Sequence, residues 1–332
     1  MRSHVYQFGL RDALLTLLPP LGGVLLVASI LQAGLVFGLL PSPRPALDAD
    51  RTVMIHQIEA ARRQQEAEVV LVGDSSCLMD VMADQLTEEL GVPALNLGTS
   101  SFLDLESYGR LLTEFRRANP GRPRAVVLLM HPEALRRAGG EPYWLAVFDH
   151  ALRGADHCPS GQFLAQMLCH LGLDPFRSRV LSRVVPVALP QTNEFGRAYR
   201  FTADLERQMA RRRGSLEEPA VRRFTGNAEY RLASALRPQA STFRQALPAG
   251  TVLLVGITPV PAGFPGADYE QTHASMLAEW SAMLGARPLR LPAVMAADQF
   301  GRVTHLNGRG AAVYTRILAG ELRSILPGLA SR

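Results

Sequence analysis

An apolar run that ends on a glycine, an acid and two hydroxyls is the sequence feature that most constrains the fold. Residues 68–76 read EVVLVGDSS, and the helical pattern of Leu78 to Leu90 follows them. A short β-branched run bounded by a polar turn is typical of a buried strand, so we predict strand, turn and helix, with Ser75 at the carboxyl end of the strand. Ligands of open α/β sheets bind outside these strand ends. Ser75 is therefore a candidate functional residue, although serine and aspartate are also common helix N-caps.

The same alternation of strand and helix recurs along the chain. Strands are predicted at Ala94–Leu97, Ala125–Met130, Thr251–Ile257 and near Leu289, and helices at Thr52–Glu66, Leu103–Ala118, Asn227–Ala246, Tyr269–Leu284 and Ala311–Leu326. This order predicts an α/β fold with a doubly wound parallel sheet. Residues from about 131 to 225 interrupt it with prolines and without a strand pattern. We expect them to form a mostly helical insertion over one edge of the sheet, as a lid or a partner surface.

A histidine near the C-terminus is predicted to reach the same edge of the sheet as Ser75. Residues 304–310 read THLNGRG and precede the last predicted helix, which places His305 on the entering loop and Asn307 at the N-cap. An imidazole with a pKa of about 6.5 is suited to remove the proton from a serine hydroxyl at neutral pH. Ser75 and His305 are therefore a candidate nucleophile and base.

Three short motifs resemble the SGNH (GDSL-type) hydrolase superfamily. They are Gly73-Asp74-Ser75, Asn96-Leu97-Gly98 and His305, and they lie within Glu68–Met130 and Thr251–Leu326. The His-Leu-Asn sequence at 305–307, followed by Gly310 and Tyr314, is most similar to the membrane-anchored branch that moves acyl groups on bacterial cell-surface polymers.

The resemblance implies both an architecture and a set of roles. The architecture is a flavodoxin-like three-layer sandwich with a parallel sheet. Ser75 would be the nucleophile and His305 the base, and the backbone N–H groups of Ser75 and Gly98 would form the oxyanion hole. Glycine suits that place, because a residue without a Cβ lets its backbone approach the developing charge.

Two positions depart from the family pattern. The third family block normally supplies an asparagine to the oxyanion hole, but residues 130–135 read MHPEAL. The family also has an aspartate three residues before the histidine, where this chain has Arg302. The nearest upstream acid is Asp298, which we assign as the orienting acid if the turn at Gly301 bends back. Otherwise the site is a Ser-His dyad or is inactive.

The N-terminal region is predicted to anchor the chain. Ala13 to Leu40 contains no charged residue, and an apolar stretch of about 20 residues is long enough to cross a bilayer. We predict a cytoplasmic tail and helix entry at 1–20, a transmembrane helix at 21–40, a linker and leading helix at 41–66, and the SGNH-like domain at 67–330. A cleaved signal peptide would have a shorter apolar region, of about 7 to 15 residues. The short tail favours an N-terminus inside the cytoplasm, so the domain would lie outside it. Together with the resemblance, this implies a bacterial inner-membrane protein with its domain on the periplasmic side.

The composition excludes several classes of site. The chain has no lysine, so its 35 basic residues are all arginine, which excludes Schiff-base chemistry and a Walker-type lysine. The basic pairs are scattered without interleaved aromatic residues, so we expect no nucleic-acid partner. We also expect no cofactor and no metal. The histidines and cysteines between His150 and His170 do not have the compact spacing of a structural zinc site.

The three cysteines have separate interpretations. Outside the cytoplasm, Cys158 and Cys169 could form a disulfide that closes a small loop. Cys77 would then be left over. Because free cysteine is most often a small buried hydrophobe, we interpret Cys77 as structural and not as a nucleophile.

Three functions remain compatible with the sequence. We favour a membrane-anchored acyltransferase or esterase that acts on a cell-surface polysaccharide, paired with a multispanning membrane O-acyltransferase. The second is a periplasmic esterase or lipase without such a partner. The third is a non-catalytic SGNH-like subunit that binds the polymer or the membrane partner.

Overall fold

The computed structural model describes residues 9–36, 49–121, 123–137, 139–153, 230–264 and 266–327. The chain divides into two compact units. One contains residues 1–49 and 154–192, and the other contains residues 50–153 and 193–332.

The described part of the first unit is helix α1, Leu10–Val36, which continues through Pro19 and Pro20. Its apolar side chains, among them Leu15 and Ile30, are largely exposed. Among the described residues, no helix combines the length and the apolar character needed to cross a membrane. The predicted span at 21–40 runs beyond α1, and residues 37–40 lie outside the described part of the chain. The membrane span therefore stays a prediction.

The second unit alternates helices and strands. In chain order its elements are α2 (Ala49–Arg62), β1 (Val69–Gly73), α3 (Ser75–Asp80), α4 (Ala83–Leu90), β2 (Ala94–Asn96), α5 (Leu105–Ala118), β3 (Ala125–Met130), α6 (Pro132–Arg137), α7 (Pro142–Leu152), α8 (Leu236–Ala246), β4 (Val252–Ile257), β5 (Val260–Pro261), α9 (Tyr269–Leu284), β6 (Arg287–Pro288), β7 (Val294–Met295), a 3-10 turn (Ala297–Gln299), β8 (Phe300–Arg302), β9 (His305–Leu306) and α10 (Gly308–Ile325).

The central sheet has five strands in the order β2-β1-β3-β4-β6, and every pairing is parallel. This confirms the predicted α/β fold with a parallel sheet. The chain leaves β1 for β2 on one side and returns to β3 on the other, so the winding direction reverses between β1 and β3. Such a switch point is where doubly wound sheets open a crevice for ligands.

Alternate residues of the strands face two separate cores. Val70 and Val72 of β1 pack with α2, α5, α8 and α9, whereas Val69 and Leu71 pack with α3, α4 and α10. Because all of β1 and β3 is buried, their apolar runs are continuous and carry no polar alternation. The result is a sheet between two helical layers.

The single helix predicted at Leu78 to Leu90 is instead two helices, α3 and α4. Val81 and Met82 between them are extended. The amide of Asn96 explains the break, because its Nδ2 donates to the carbonyls of Cys77 at 2.8 Å and Val81 at 3.0 Å and so ends α3. A side chain distant in sequence overrides the local helical pattern.

The predicted insertion is only partly described. Its beginning forms α6 and α7, which are helical as expected. The remainder, including Cys158 and Cys169, lies outside the described residues, and the proposed disulfide stays a prediction.

Candidate active site

Ser75 and His305 meet at the carboxyl edge of the sheet. Ser75 is the first residue of α3, directly after β1, and His305 opens β9 just before α10. The Nε2 atom of His305 lies 2.9 Å from the Oγ atom of Ser75. The structure thus brings the predicted nucleophile and base into hydrogen-bonding contact, although 230 residues separate them.

The turn between β1 and α3 is held by Asp74, which is the helix N-cap. One carboxylate oxygen accepts from the backbone N–H of Ser76 at 2.9 Å and from its hydroxyl at 2.6 Å. The other oxygen accepts from the backbone N–H of His131 at 2.9 Å, at the end of β3. Because Asp74 caps the helix and Ser76 is its hydrogen-bond partner, the hydroxyl of Ser75 is available to contact His305.

Two further contacts fix this turn against the sheet. Gly73 has a φ of +150°, and a Cβ there would overlap the carbonyl oxygen of Leu129, so only glycine fits. Thr258, which follows β4, donates its hydroxyl to the Oγ of Ser76 at 2.9 Å. Hydrogen bonds therefore join the ends of β1, β3 and β4 around Ser75.

The base is oriented by a neutral group, which corrects the role assigned to Asp298. The Nδ1 atom of His305 lies 2.6 Å from the hydroxyl of Thr304. The carboxylate of Asp298 instead lies 3.5 Å from Arg309 and is 58% exposed. Its backbone carbonyl accepts from the side chain of Asn307 at 2.7 Å. The turn at Gly301 does not bend Asp298 back, because β8 and β9 pair as an antiparallel hairpin.

The hairpin also sets the electrostatics of the base. Burial and, to a smaller extent, the nearby charge of Arg302 together lower the pKa of His305 to about 4. Arg302 is the residue that pairs with His305 across the hairpin. His305 is therefore neutral at pH 7 and able to accept a proton, although it is a weaker base than an unperturbed histidine.

Asp80 holds the base strand against the nucleophile helix. It ends α3, is fully buried, and accepts from the backbone N–H of Leu306 at 2.8 Å. Burial raises the pKa of Asp80 well above its ordinary value, and the neighbouring Asp74 adds to the effect. The sequence offered no signal for this role, since an acid at the end of a short helix is usually solvated.

Of the two expected oxyanion donors, only one is available. The N–H of Ser75 is the first amide of a helix and has no intrahelical acceptor. The N–H of Gly98 already donates to Oδ1 of Asn96 at 2.8 Å. A Cβ at Gly98 would overlap the backbone of Leu78 in α3. The structure therefore corrects the role of Gly98: it allows close packing against the nucleophile helix, and its N–H is committed elsewhere.

Cys77 is a buried free thiol. Burial, together with the charges of Asp74 and Asp80, raises the pKa of the Cys77 thiol well above its ordinary value. A thiol in this environment is not a nucleophile, in agreement with its interpretation as a structural residue. Within the described ranges, no group of three or more histidine, cysteine or acidic side chains is placed to hold a metal ion. His157, Cys158, Cys169 and His170 lie outside those ranges.

Comparison of the chain with known proteins found no matching family model, no matching curated protein and no matching solved structure.

Proposed function

We propose that this protein is a serine-dependent acyltransferase or esterase of the SGNH type. The observation that carries the proposal is the 2.9 Å contact between Ser75 Oγ and His305 Nε2 at the switch point of the sheet. A serine hydroxyl becomes a useful nucleophile when an adjacent base takes its proton. The lowered pKa of His305, about 4, keeps that base unprotonated at neutral pH.

The reaction follows from this pair. Nε2 of His305 takes the hydroxyl proton while Ser75 Oγ forms a bond to the carbonyl carbon of an ester. The resulting oxyanion collapses, the bond to the leaving alkoxide breaks, and His305 returns the proton to it. A water molecule or a sugar hydroxyl then attacks the acyl-serine and loses its proton to His305. The bond between the acyl carbon and Ser75 Oγ breaks, His305 returns the proton to Oγ, and the free acid or the acylated sugar leaves. In this protonation scheme Nδ1–H of His305 donates to Thr304, which stabilises the imidazolium less than a carboxylate would.

A group of aromatic rings near this edge supports a sugar polymer as the acceptor. Phe102, in the loop after β2, stacks on Trp144 with ring centroids 5.5 Å apart and planes 10° apart. Tyr143 packs edge-on against Trp144 and is 63% exposed. The exposed ring of Tyr143 can pack against the apolar face of a sugar, and the half-buried stack of Phe102 and Trp144 supports that ring. On the family resemblance and the predicted anchor, we further propose a periplasmic enzyme of the inner membrane that acts beside a multispanning O-acyltransferase.

One observation favours a second candidate, a non-catalytic subunit that binds the polymer or that membrane partner. Within the described residues, Nδ1 of His305 contacts the hydroxyl of Thr304 and no carboxylate, and the pKa of His305, about 4, lies well below that of a typical general base. An ancestral site that has lost its acid would retain this geometry without turnover.

The two candidates are separated by labelling and by turnover. Wild-type protein should react with a fluorophosphonate probe at Ser75 and hydrolyse p-nitrophenyl acetate, and Ser75→Ala should abolish both. Ser76→Ala is the matched control, because the neighbouring hydroxyl contacts Asp74 and Thr258, whereas the hydroxyl of Ser75 contacts His305. Peptide mapping should still find the probe on Ser75 in that variant. Hydrolysis by Ser75→Ala at the wild-type rate would overturn the catalytic proposal.

A separate assay distinguishes a transferase from an esterase. Acyl transfer to an oligosaccharide, followed by mass spectrometry, would show a transferase.

A further inference from the structure

His131 is a buried histidine beside the proposed site that the reaction scheme does not yet use. It follows β3 directly, and its side chain and backbone are only 4% exposed. Its backbone N–H donates to Asp74, the residue that caps the helix of Ser75. His131 therefore lies at the carboxyl end of β3, the strand that pairs with β1 at the switch point.

The hydrogen bonds of His131 fix its tautomer. The backbone N–H of Glu133 donates to Nδ1 of His131 at 3.2 Å, so Nδ1 is an acceptor and carries no proton. A neutral imidazole has one proton, which must then be on Nε2. Burial lowers the pKa of His131 to about 3, with contributions from the charges of His305 and Arg137, so the ring is neutral across the physiological range.

The Nε2–H group of His131 is left without an acceptor in the part of the chain that the structure describes. Nε2 is buried and makes no hydrogen bond to any described residue. A buried donor without an acceptor is unfavourable, and a catalytic role is one reason why a protein keeps such a group. His131 is tied to the nucleophile turn, because its backbone N–H donates at 2.9 Å to Asp74, the residue that precedes Ser75.

Ester attack at Ser75 would supply the missing acceptor. A tetrahedral intermediate carries an oxyanion that needs more than one donor, and Gly98 cannot serve because Asn96 holds its N–H. We propose that Nε2–H of His131, together with the N–H of Ser75, forms the oxyanion hole. The inference rests on the proposed acyl-transfer function, and it assigns a catalytic role to the residue that stands where the family has asparagine.

Kinetics of p-nitrophenyl acetate hydrolysis test the role. Replacing His131 with leucine removes the donor, and kcat should fall by about 100- to 1000-fold with little change in KM, since the contact forms only in the transition state. His131→Gln places an amide N–H near the position of Nε2 and should retain kcat within about tenfold of wild type. His273→Leu is the matched control, because His273 is also buried with an unpartnered Nε2, and it should keep wild-type kinetics.

Two measurements keep the proposal testable if the leucine variant does not fold. An arylboronic acid forms a tetrahedral adduct on the serine, and the glutamine variant should bind it much as wild type does. In the wild-type protein, ¹⁵N NMR should identify the Nε2–H tautomer of His131, and its signal should move downfield when a phosphonate occupies Ser75. A purely structural histidine would leave this signal unchanged.

The outcomes separate this inference from the function on which it rests. If Ser75→Ala still hydrolyses the ester, the acyl-transfer function itself fails. If Ser75→Ala is inactive but folded His131→Leu stays within about threefold of wild type, the function stands and the role of His131 is refuted. An Nδ1–H tautomer in the NMR spectrum would refute it equally.

Discussion

The two halves of the site are built differently. The nucleophile half, the turn from Gly73 to Ser76, is joined to the ends of β3 and β4, because Asp74 accepts from the N–H of His131 and Thr258 donates to Ser76. The base half is a hairpin of two very short strands. It is tied to α3 by the backbone N–H of Leu306, which donates to Asp80, and by the contact of His305 with Ser75. The nucleophile half matches the family pattern, whereas the base half carries Thr304 and Arg302 near the histidine. This difference shows that the sheet positions the nucleophile, whereas neighbours in the hairpin set the orientation and the pKa of the base.

The largest effect should come from the contact that joins the halves. Ser75→Ala, His305→Ala and the double variant should each lower kcat for ester hydrolysis to the same floor, about 1000-fold or more below wild type. The effects should not add, because neither group works without the other. Steady-state kinetics with titrated active sites provide the measurement. If the double variant is much slower than either single variant, the two residues do not act as one unit.

The nucleophile half should be sensitive in stability. Asp74→Ala removes the acceptor for two buried backbone N–H groups and should lower the free energy of unfolding by about 3 kcal/mol. Asp104, the N-cap of α5, makes the same two bonds to Ser107, at 2.8 and 2.6 Å, and is the matched control. Asp104→Ala should cost only about 1 kcal/mol, as for an ordinary cap. Urea unfolding compares the two, and equal losses would mean that the link to β3 contributes nothing.

The nucleophile half could be predicted from sequence better than the base half. The strands β1 and β3 and the helix Tyr269–Leu284 could be predicted because continuous apolar runs and helical periodicity are local signals. The Ser75–His305 contact could be predicted because both residues had to lie at the carboxyl edge of the sheet.

The predictions that failed concern contacts between residues that no local sequence pattern encodes. The orienting role of Asp298 depended on a turn whose direction is set by strand pairs only two or three residues long. The commitment of the Gly98 N–H depends on the side chain of Asn96, which also ends α3. In the sequence, the segment with His131 was notable only because it lacks the asparagine of the family pattern. The role of its Nε2 depends on burial and on the hydrogen bond at Nδ1, and neither can be predicted from sequence.

The contact at Nδ1 of His305 should have a moderate effect. Thr304→Val keeps the shape but removes the acceptor of the Nδ1–H, and a neutral hydrogen bond worth about 1 kcal/mol predicts a kcat about 5-fold lower. Asp298→Asn should be nearly silent, because its carboxylate faces Arg309. The pair of variants is measured side by side with p-nitrophenyl acetate. A larger loss of kcat in Asp298→Asn than in Thr304→Val would show that Asp298, and not Thr304, orients His305.

The smallest effect should be a shift in pH dependence from Arg302. Its positive charge opposes protonation of His305, so Arg302→Gln should raise the histidine's pKa from about 4 toward its ordinary value. Burial, the larger cause, is unchanged, and Arg302 is exposed, so water and salt limit the shift to less than about one unit.

The sign of the Arg302 effect determines the readout. The base acts when it is unprotonated, so kcat/KM falls as the pH drops through the pKa of His305. The acid limb of the profile should therefore move to higher pH in Arg302→Gln. Arg302→Lys keeps the charge and should leave the limb in place, and added salt should shift the wild type but not the glutamine variant. Arg302→Asp, which restores the acid of the family pattern, should move the limb furthest and raise turnover at neutral pH. Identical acid limbs in all four proteins would mean that burial alone sets the pKa of the base.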